Sequence, residues 1–173
     1  VYDNLSEKFL KSGVFQVMVP LYDNCTANNL SPRLDREIAR FLEFTSTHPE
    51  GIQILYEHRT ATLDLLEALL LRPNQDEGTV LYASATVLLD MTASETCIEK
   101  VSKLLYEKKM FPYIVGKLLN LMGRNLTLTH MTKLRDLFVG IVLNLTCNVE
   151  NPDIIRHMVL ENDVLEALKK ILV

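Results

Sequence analysis

Three segments of this sequence end in the same way, and their spacing limits the folds that the chain can adopt. Each has two apolar residues, a polar or acidic residue, another apolar residue and a closing threonine. The segments are Phe41-Leu42-Glu43-Phe44-Thr45, Leu88-Leu89-Asp90-Met91-Thr92 and Val142-Leu143-Asn144-Leu145-Thr146. Their closing threonines, at positions 45, 92 and 146, are 47 and 54 residues apart. A recurrence near 50 residues predicts a chain built from stacked structural repeats.

The pattern of apolar residues between these segments predicts helices. From Leu34 to Phe44 and from Val80 to Met91, apolar residues recur at spacings of three and four, which is the period of an amphipathic helix. The sequence has no sustained alternation of apolar and polar residues and no Asn-Gly or Asp-Gly hairpin turn. Breaks such as His48-Pro49-Glu50-Gly51 separate the helical segments. We therefore expect an all-α protein.

Each repeat is predicted to contain three helices. A short helix follows each closing threonine, at 50–58, 95–108 and 152–161, and a sharp turn leads into an apolar helix at 62–71, 111–122 and 163–173. Counted from that turn, Leu69, Leu118 and Ile171 are equivalent core positions 49 and 53 residues apart, and Leu21 lies 48 residues before the first of them. We expect one domain over residues 1–173, with approximate units 1–30, 31–78, 79–129 and 130–173.

This three-helix unit resembles the armadillo repeat. Residues 151–162 (NPDIIRHMVLEN) are similar to the family's first helix and its tight turn, and residues 163–172 (DVLEALKKIL) to its second helix. The resemblance implies a right-handed α-solenoid that serves as a non-catalytic protein-interaction scaffold. The repeat here is longer than the family's, and the usual turn glycine occurs only at Gly13, with Thr60, Lys109 and Asn162 at the later turns. HEAT-like repeats share the same general pattern.

In armadillo proteins the third helices line a concave surface that holds extended peptides. The resemblance places on that surface Asp35, Ala39 and Glu43, then Tyr82, Thr86 and Asp90, and finally Asp136, Gly140 and Asn144. Asn144 matches the family's peptide-binding asparagine, but its tryptophan is missing, because the chain contains no Trp. The acidic members favour a basic segment of a partner protein. The competing interpretation is local hydrogen bonding, with Arg36 or Arg40 neutralising Glu43.

Composition and motifs exclude several other classes of function. The chain has 18 basic and 22 acidic side chains, a net charge of −4, so we expect no nucleic acid binding. The densest basic cluster comprises Lys100, Lys103, Lys108, Lys109 and Lys117, and it is expected to be a solvated face. No apolar run reaches the length of about 18 residues that predicts a membrane span. Phosphate-binding loops, nucleophile elbows and metalloprotease motifs are lacking, and we expect no catalytic residue, cofactor or metal site.

Several expectations about context remain open at this point. Three widely spaced cysteines favour a reducing compartment, whereas five Asn-x-Ser/Thr triplets oppose it; we expect an intracellular protein, cytoplasmic or nuclear. The uncapped end at Lys170-Ile171-Leu172-Val173 favours a piece of a longer protein.

Alternatives to the scaffold are a homo-oligomerising module and a regulatory domain attached to an enzyme or a cytoskeletal assembly factor. The turn at Met110-Phe111-Pro112-Tyr113 is a second candidate partner surface, although Phe111 is expected in the core.

Overall fold

The computed structural model describes residues 32–71, 78–122 and 129–147, together with residues 8, 11–14, 17–18, 152–153, 156, 159 and 169. The three continuous stretches contain helices and no strand, which confirms the all-α prediction for this part of the chain. The helices are α1 (Pro32–Ser46), α2 (Pro49–Glu57), α3 (Arg59–Leu71), α4 (Thr79–Ala93), α5 (Ile98–Glu107), α6 (Phe111–Met122) and α7 (Thr129–Cys147). The predicted helices at 152–161 and 163–173 lie largely outside the described residues, and so do the predicted core positions Leu21 and Ile171.

The described helices recur in a fixed order of lengths. Helices α1 and α4 each have 15 residues, α2 and α5 have 9 and 10, and α3 and α6 have 13 and 12. Helices α4, α5 and α6 begin 47, 49 and 52 residues after α1, α2 and α3. Helix α7, with 19 residues, begins 50 residues after α4. In both cases a long helix is followed by a short helix and then by a third helix, which is the order of elements that the sequence predicted.

The chain divides into two compact units, Val1–Asp90 and Met91–Val173. In the first unit α1 packs against α2 and α3, and α2 packs against α3. In the second unit α7 packs against α5 and α6. Leu69 in the first unit and Leu118 in the second, which the repeat made equivalent, are 1% and 0% exposed, so both are core positions as predicted.

The start of α2 lies very close to the end of α1. The His48 N–H donates to the Thr45 carbonyl oxygen over 3.3 Å, and the Ile52 N–H donates to the His48 carbonyl oxygen over 2.9 Å. Gly51 is buried against the last turn of α1, where a Cβ atom would lie 2.8 Å from the Thr45 carbonyl carbon. A glycine is therefore required here by the close approach of two backbones.

The turn between α5 and α6 contains a left-handed residue, Lys109, at the position that the sequence analysis assigned to a tight turn. Lys109 has φ 55°, its N–H donates to the Tyr106 carbonyl oxygen, and the Met110 N–H donates to the Leu105 carbonyl oxygen, both over 3.0 Å. These two bonds form a Schellman motif, with Met110 and Leu105 both buried. Gly13, another predicted turn position, also has a positive φ, of 80°.

The predicted turn at Thr60 is wrong. Helix α3 begins at Arg59, three residues before the predicted start, so Thr60 lies in its first turn. His58, with φ −99° and ψ 27°, closes α2 directly before α3. The buried Thr62 hydroxyl ties the two helices together by donating to the carbonyl oxygens of Leu55 and His58, over 3.2 and 3.1 Å.

Candidate functional site

Two of the predicted site residues, Glu43 and Asp90, lie close together in the first compact unit. Glu43 lies in the last turn of α1. Asp90 lies in the last turn of α4 and is the last residue of the first compact unit. Both side chains are half-buried, and their charges are near enough that Asp90 raises the pKa of the Glu43 carboxyl. The Ser46 side chain at the end of α1 also forms a hydrogen bond with Asp90, which places the ends of the two helices in contact.

Burial makes both carboxylates less stable as anions than they are in water. Desolvation is the largest cause of the raised pKa of Glu43, and it is opposed by the Arg40 guanidinium and reinforced by Asp90. Desolvation also raises the pKa of Asp90, opposed by a hydrogen bond from the Ser46 side chain. A cation that approached both carboxylates would stabilise their charged forms, because neither is fully compensated within the protein.

Two neighbouring side chains modulate this pair of carboxylates. Arg40 neutralises Glu43 only in part, because its Nη1 also lies 3.9 Å from Glu37 Oε1 on the exposed side of α1. Ser46 is buried, and its hydroxyl donates to the Glu43 carbonyl oxygen over 2.9 Å in addition to its interaction with Asp90. Ser46 belongs to no motif that would mark it as a site residue, and its only signal in the sequence is its position directly after the closing threonine, Thr45.

The remaining predicted residues of α1 and α4 offer little to a partner. Asp35 and Ala39 are 2% and 0% exposed, so their side chains face the protein interior. Tyr82 and Thr86 are half-buried, and the Thr86 hydroxyl donates to the Tyr82 carbonyl oxygen over 3.0 Å. We therefore exclude Asp35 and Ala39 from the surface considered below.

The predicted residues of α7 belong to the second compact unit. Asp136 is exposed, and its Oδ1 accepts hydrogen bonds from Arg135 Nη2 and Nε over 2.7 and 3.0 Å. Asn144 is half-buried, and its Nδ2 donates to Oγ1 of the buried Thr92 over 3.4 Å. Gly140 is half-buried as well. Asp136 and part of the Asn144 amide are thus already engaged within the protein, which leaves Glu43 and Asp90 as the strongest of the predicted site residues.

The alternative surface at the α5–α6 turn is only partly exposed. Met110 and Phe111 are each 1% exposed, which confirms the prediction that Phe111 belongs to the core. Pro112 is exposed and Tyr113 is half-buried. The apolar anchor that a partner would need is therefore absent at Phe111 itself.

Within residues 32–71, 78–122 and 129–147, no group of three or more His, Cys, Asp or Glu side chains is placed to hold a metal ion. None of the helices in the described part of the chain combines the length and hydropathy needed to cross a membrane. Comparisons with protein-family models, with curated proteins and with solved structures find no match for this chain.

Proposed function

We propose that this chain is a non-catalytic protein-interaction module, built as an armadillo-like right-handed α-solenoid, that binds a basic segment of a partner protein. The observation that carries the proposal is the proximity of Glu43 and Asp90, two half-buried carboxylates from different helices whose pKa values are both raised by burial, with the charge of Asp90 raising that of Glu43 further. The recurring order of helix lengths supports the solenoid, since stacked repeats of this kind bury a shared core and leave one face for partners.

The chemistry of the pair favours an arginine or lysine side chain. Two carboxylates offer four oxygen atoms, and a guanidinium offers several N–H donors in a planar array that can bond to both. Burial raises the pKa values of both Glu43 and Asp90, and the charge of Asp90 raises that of Glu43 further, so a partner's cation would relieve a cost that is already present in the free protein. The free protein already bears the free-energy cost of burying these two charges. Binding of a cation is therefore more favourable here than at a fully solvated carboxylate.

The last turn of α1 also carries an exposed aromatic ring. Phe44 follows Glu43 directly and is 55% exposed, with its ring centroid 4.9 Å from that of His48. The aliphatic stem of an arginine or lysine can pack on such a ring while its charged end reaches a carboxylate. The surface is therefore suited to a segment in which basic residues are accompanied by apolar ones.

Selection of peptides from a displayed library tests this function. The wild-type protein serves as bait, and the variant Glu43→Gln/Asp90→Asn serves for counter-selection, because it removes both charges with little change in shape. Peptides rich in arginine or lysine should be enriched, and the variant should bind them at least about tenfold more weakly, since hydrogen bonds to charged groups contribute about 1.5–3 kcal/mol each. Their affinity should also fall as salt concentration rises.

The matched control is Glu57→Gln/Glu107→Gln, which removes two exposed carboxylates from α2 and α5 and gives the same change in net charge. This control should bind the selected peptides nearly as well as the wild type. Enrichment of peptides without basic residues, or equal losses in the two double variants, would contradict the proposed function.

A further inference from the structure

A second surface of the protein, distinct from the carboxylate pair, has an unusual charge. From Lys108 to Arg135 the sequence contains six basic residues and no acidic residue, although the whole chain has a net charge of −4. One exposed part of this region is the corner formed by the α5–α6 turn and the solvent-facing side of α6; Lys133 in α7 is exposed as well. We call this corner the basic corner; its residues are Lys109, Pro112, Tyr113, Gly116 and Lys117.

Lys109 occupies a backbone position that favours glycine. With φ 55°, its backbone is in the left-handed region, where the Cβ atom of an L-residue is crowded by the following carbonyl group. The Schellman motif that surrounds it is most often completed by glycine. The side chain of Lys109 is exposed, so packing does not explain why a lysine is present.

Gly116 presents the opposite anomaly on the same corner. It lies in the middle of α6, is exposed, and a Cβ atom added to it would contact nothing within 4 Å. Alanine would stabilise the helix there without any steric conflict, so neither backbone angle nor packing explains the glycine. Two positions in one corner thus depart, in opposite directions, from the residue that stability favours, and such departures are expected where a surface serves a function.

We propose that the basic corner binds an acidic segment of a partner protein. Lys109 and Lys117 supply the positive charge, and the absence of a side chain at Gly116 lets the partner's backbone approach the helix closely. Lys117 Nζ lies 5.5 Å from the centre of the Tyr113 ring, which holds the ammonium group over the surface of α6. This proposal is independent of the proposed function, because it concerns other residues and a partner of the opposite charge.

The charge distribution favours a protein segment over a nucleic acid as the occupant. Lys103, the nearest exposed lysine of α5, pairs with Glu107 at 4.0 Å, so the positive surface does not extend along α5 as a continuous stripe. A chain with a net charge of −4 also repels an extended phosphate backbone beyond a small patch. A short acidic segment requires only the corner itself.

Fluorescence anisotropy with a short labelled peptide of alternating glutamate and glycine tests the proposal. The wild-type protein should bind the peptide at low ionic strength and release it as sodium chloride is added. Lys109→Gly and Lys117→Ala should each weaken binding about two- to fivefold, as expected for one exposed ion pair. Gly116→Leu should weaken it as well, because the side chain covers the bare helix backbone while α6 remains intact.

Three controls separate binding from folding and from general charge. Arg33→Ala removes one positive charge from α1, in the other compact unit, and should leave the affinity unchanged. Lys109→Gly should unfold at the same or a higher urea concentration than the wild type, so its loss of binding has no folding origin. The proposal is overturned if no binding is measured at low ionic strength, if Lys109→Gly and Lys117→Ala behave like Arg33→Ala, or if a single-stranded oligonucleotide binds the corner more tightly than the peptide does.

Discussion

One added methyl group at Gly51 should separate two helices that the structure holds in backbone contact. The Cβ atom of an alanine there would lie 2.8 Å from the carbonyl carbon of Thr45, 3.2 Å from its Cγ2 atom, and closer still to its carbonyl oxygen. Thr45 cannot easily move, because it is fully buried and its hydroxyl donates to the Phe41 carbonyl oxygen over 2.8 Å. The start of α2 must therefore shift away from α1.

The expected magnitude follows from two opposing effects. Forcing an extra carbon into a packed site costs about 1–3 kcal/mol, and a clash with backbone atoms belongs at the upper end of that range. Replacing glycine by alanine inside a helix returns about 1 kcal/mol. Gly51→Ala should therefore lower the free energy of unfolding by about 2 kcal/mol, which for a chain of this size lowers the melting temperature by about 4–8 °C.

Gly116→Ala is the matched control, since it makes the same chemical change in α6 where a Cβ atom meets nothing within 4 Å. Gly116→Ala should raise the free energy of unfolding by about 1 kcal/mol, so the two substitutions change this free energy in opposite directions. Urea unfolding followed by circular dichroism measures the free energy of unfolding of both variants. Equal slopes of this free energy against urea concentration would show that both variants expose the same amount of surface on unfolding. A Gly51→Ala variant that is as stable as Gly116→Ala would refute the close approach of α2 to Thr45.

Two further substitutions test the charge and the core. Burial raises the pKa of the Asp90 carboxyl, so the folded protein favours the protonated form. This preference stabilises the folded state fully below the ordinary carboxyl pKa near 4, and the stabilisation is lost as pH rises through the raised pKa. Asp90→Asn should therefore raise the free energy of unfolding at pH 7 more than at pH 3, and an equal gain at both pH values in urea titrations would contradict the buried charge. Leu118→Ala should cost about 2–5 kcal/mol in the same assay, because Leu118 is fully buried, and a loss below about half a kilocalorie would remove the repeat register that made it equivalent to Leu69.

The apolar periodicity predicted the helices well where tertiary packing covers a whole face. The apolar residues that form the predicted face of the segment from Val80 to Met91 are at most 7% exposed: Val80, Leu81, Ala83, Val87, Leu88 and Met91. The bounds of α6 coincide with the predicted 111–122. The periodicity did not predict burial or boundaries correctly at helix ends. There the apolar pattern continues along the sequence, but no neighbouring helix packs against it. Phe44 belonged to the predicted stripe of α1, yet it is 55% exposed. Similarly, α5 begins at Ile98 instead of the predicted Glu95, because the Ser94 carbonyl accepts the N–H groups of both Cys97 and Ile98 in a preceding turn.

The candidate site was predictable only in part. Alignment of the repeats was sufficient to propose Glu43 and Asp90 as members of one surface, since equivalent positions of successive repeats lie side by side when repeats stack. Alignment also selected Asp35 and Ala39, which are buried. It selected them because equivalence between repeats does not specify whether a side chain faces the core or the solvent when the apolar face of the helix is wide. The contacts of Ser46 with Asp90 and of Thr92 with Asn144 have no periodic signal, because each depends on how one helix end meets another.

The α5–α6 turn also determines how the protein should respond to proteases. Lys108-Lys109 is a dibasic sequence with an exposed lysine, and in an unfolded chain trypsin would cut it readily. In the folded protein the N–H groups of Lys108, Lys109 and Met110 all donate to carbonyl oxygens of α5, and Lys109 is locked in the left-handed conformation. A protease needs an extended strand of several residues, so cleavage at this bond requires the turn to open first. The rate of tryptic cleavage at Lys109 therefore reports the opening of this one corner, while the surrounding helices remain folded.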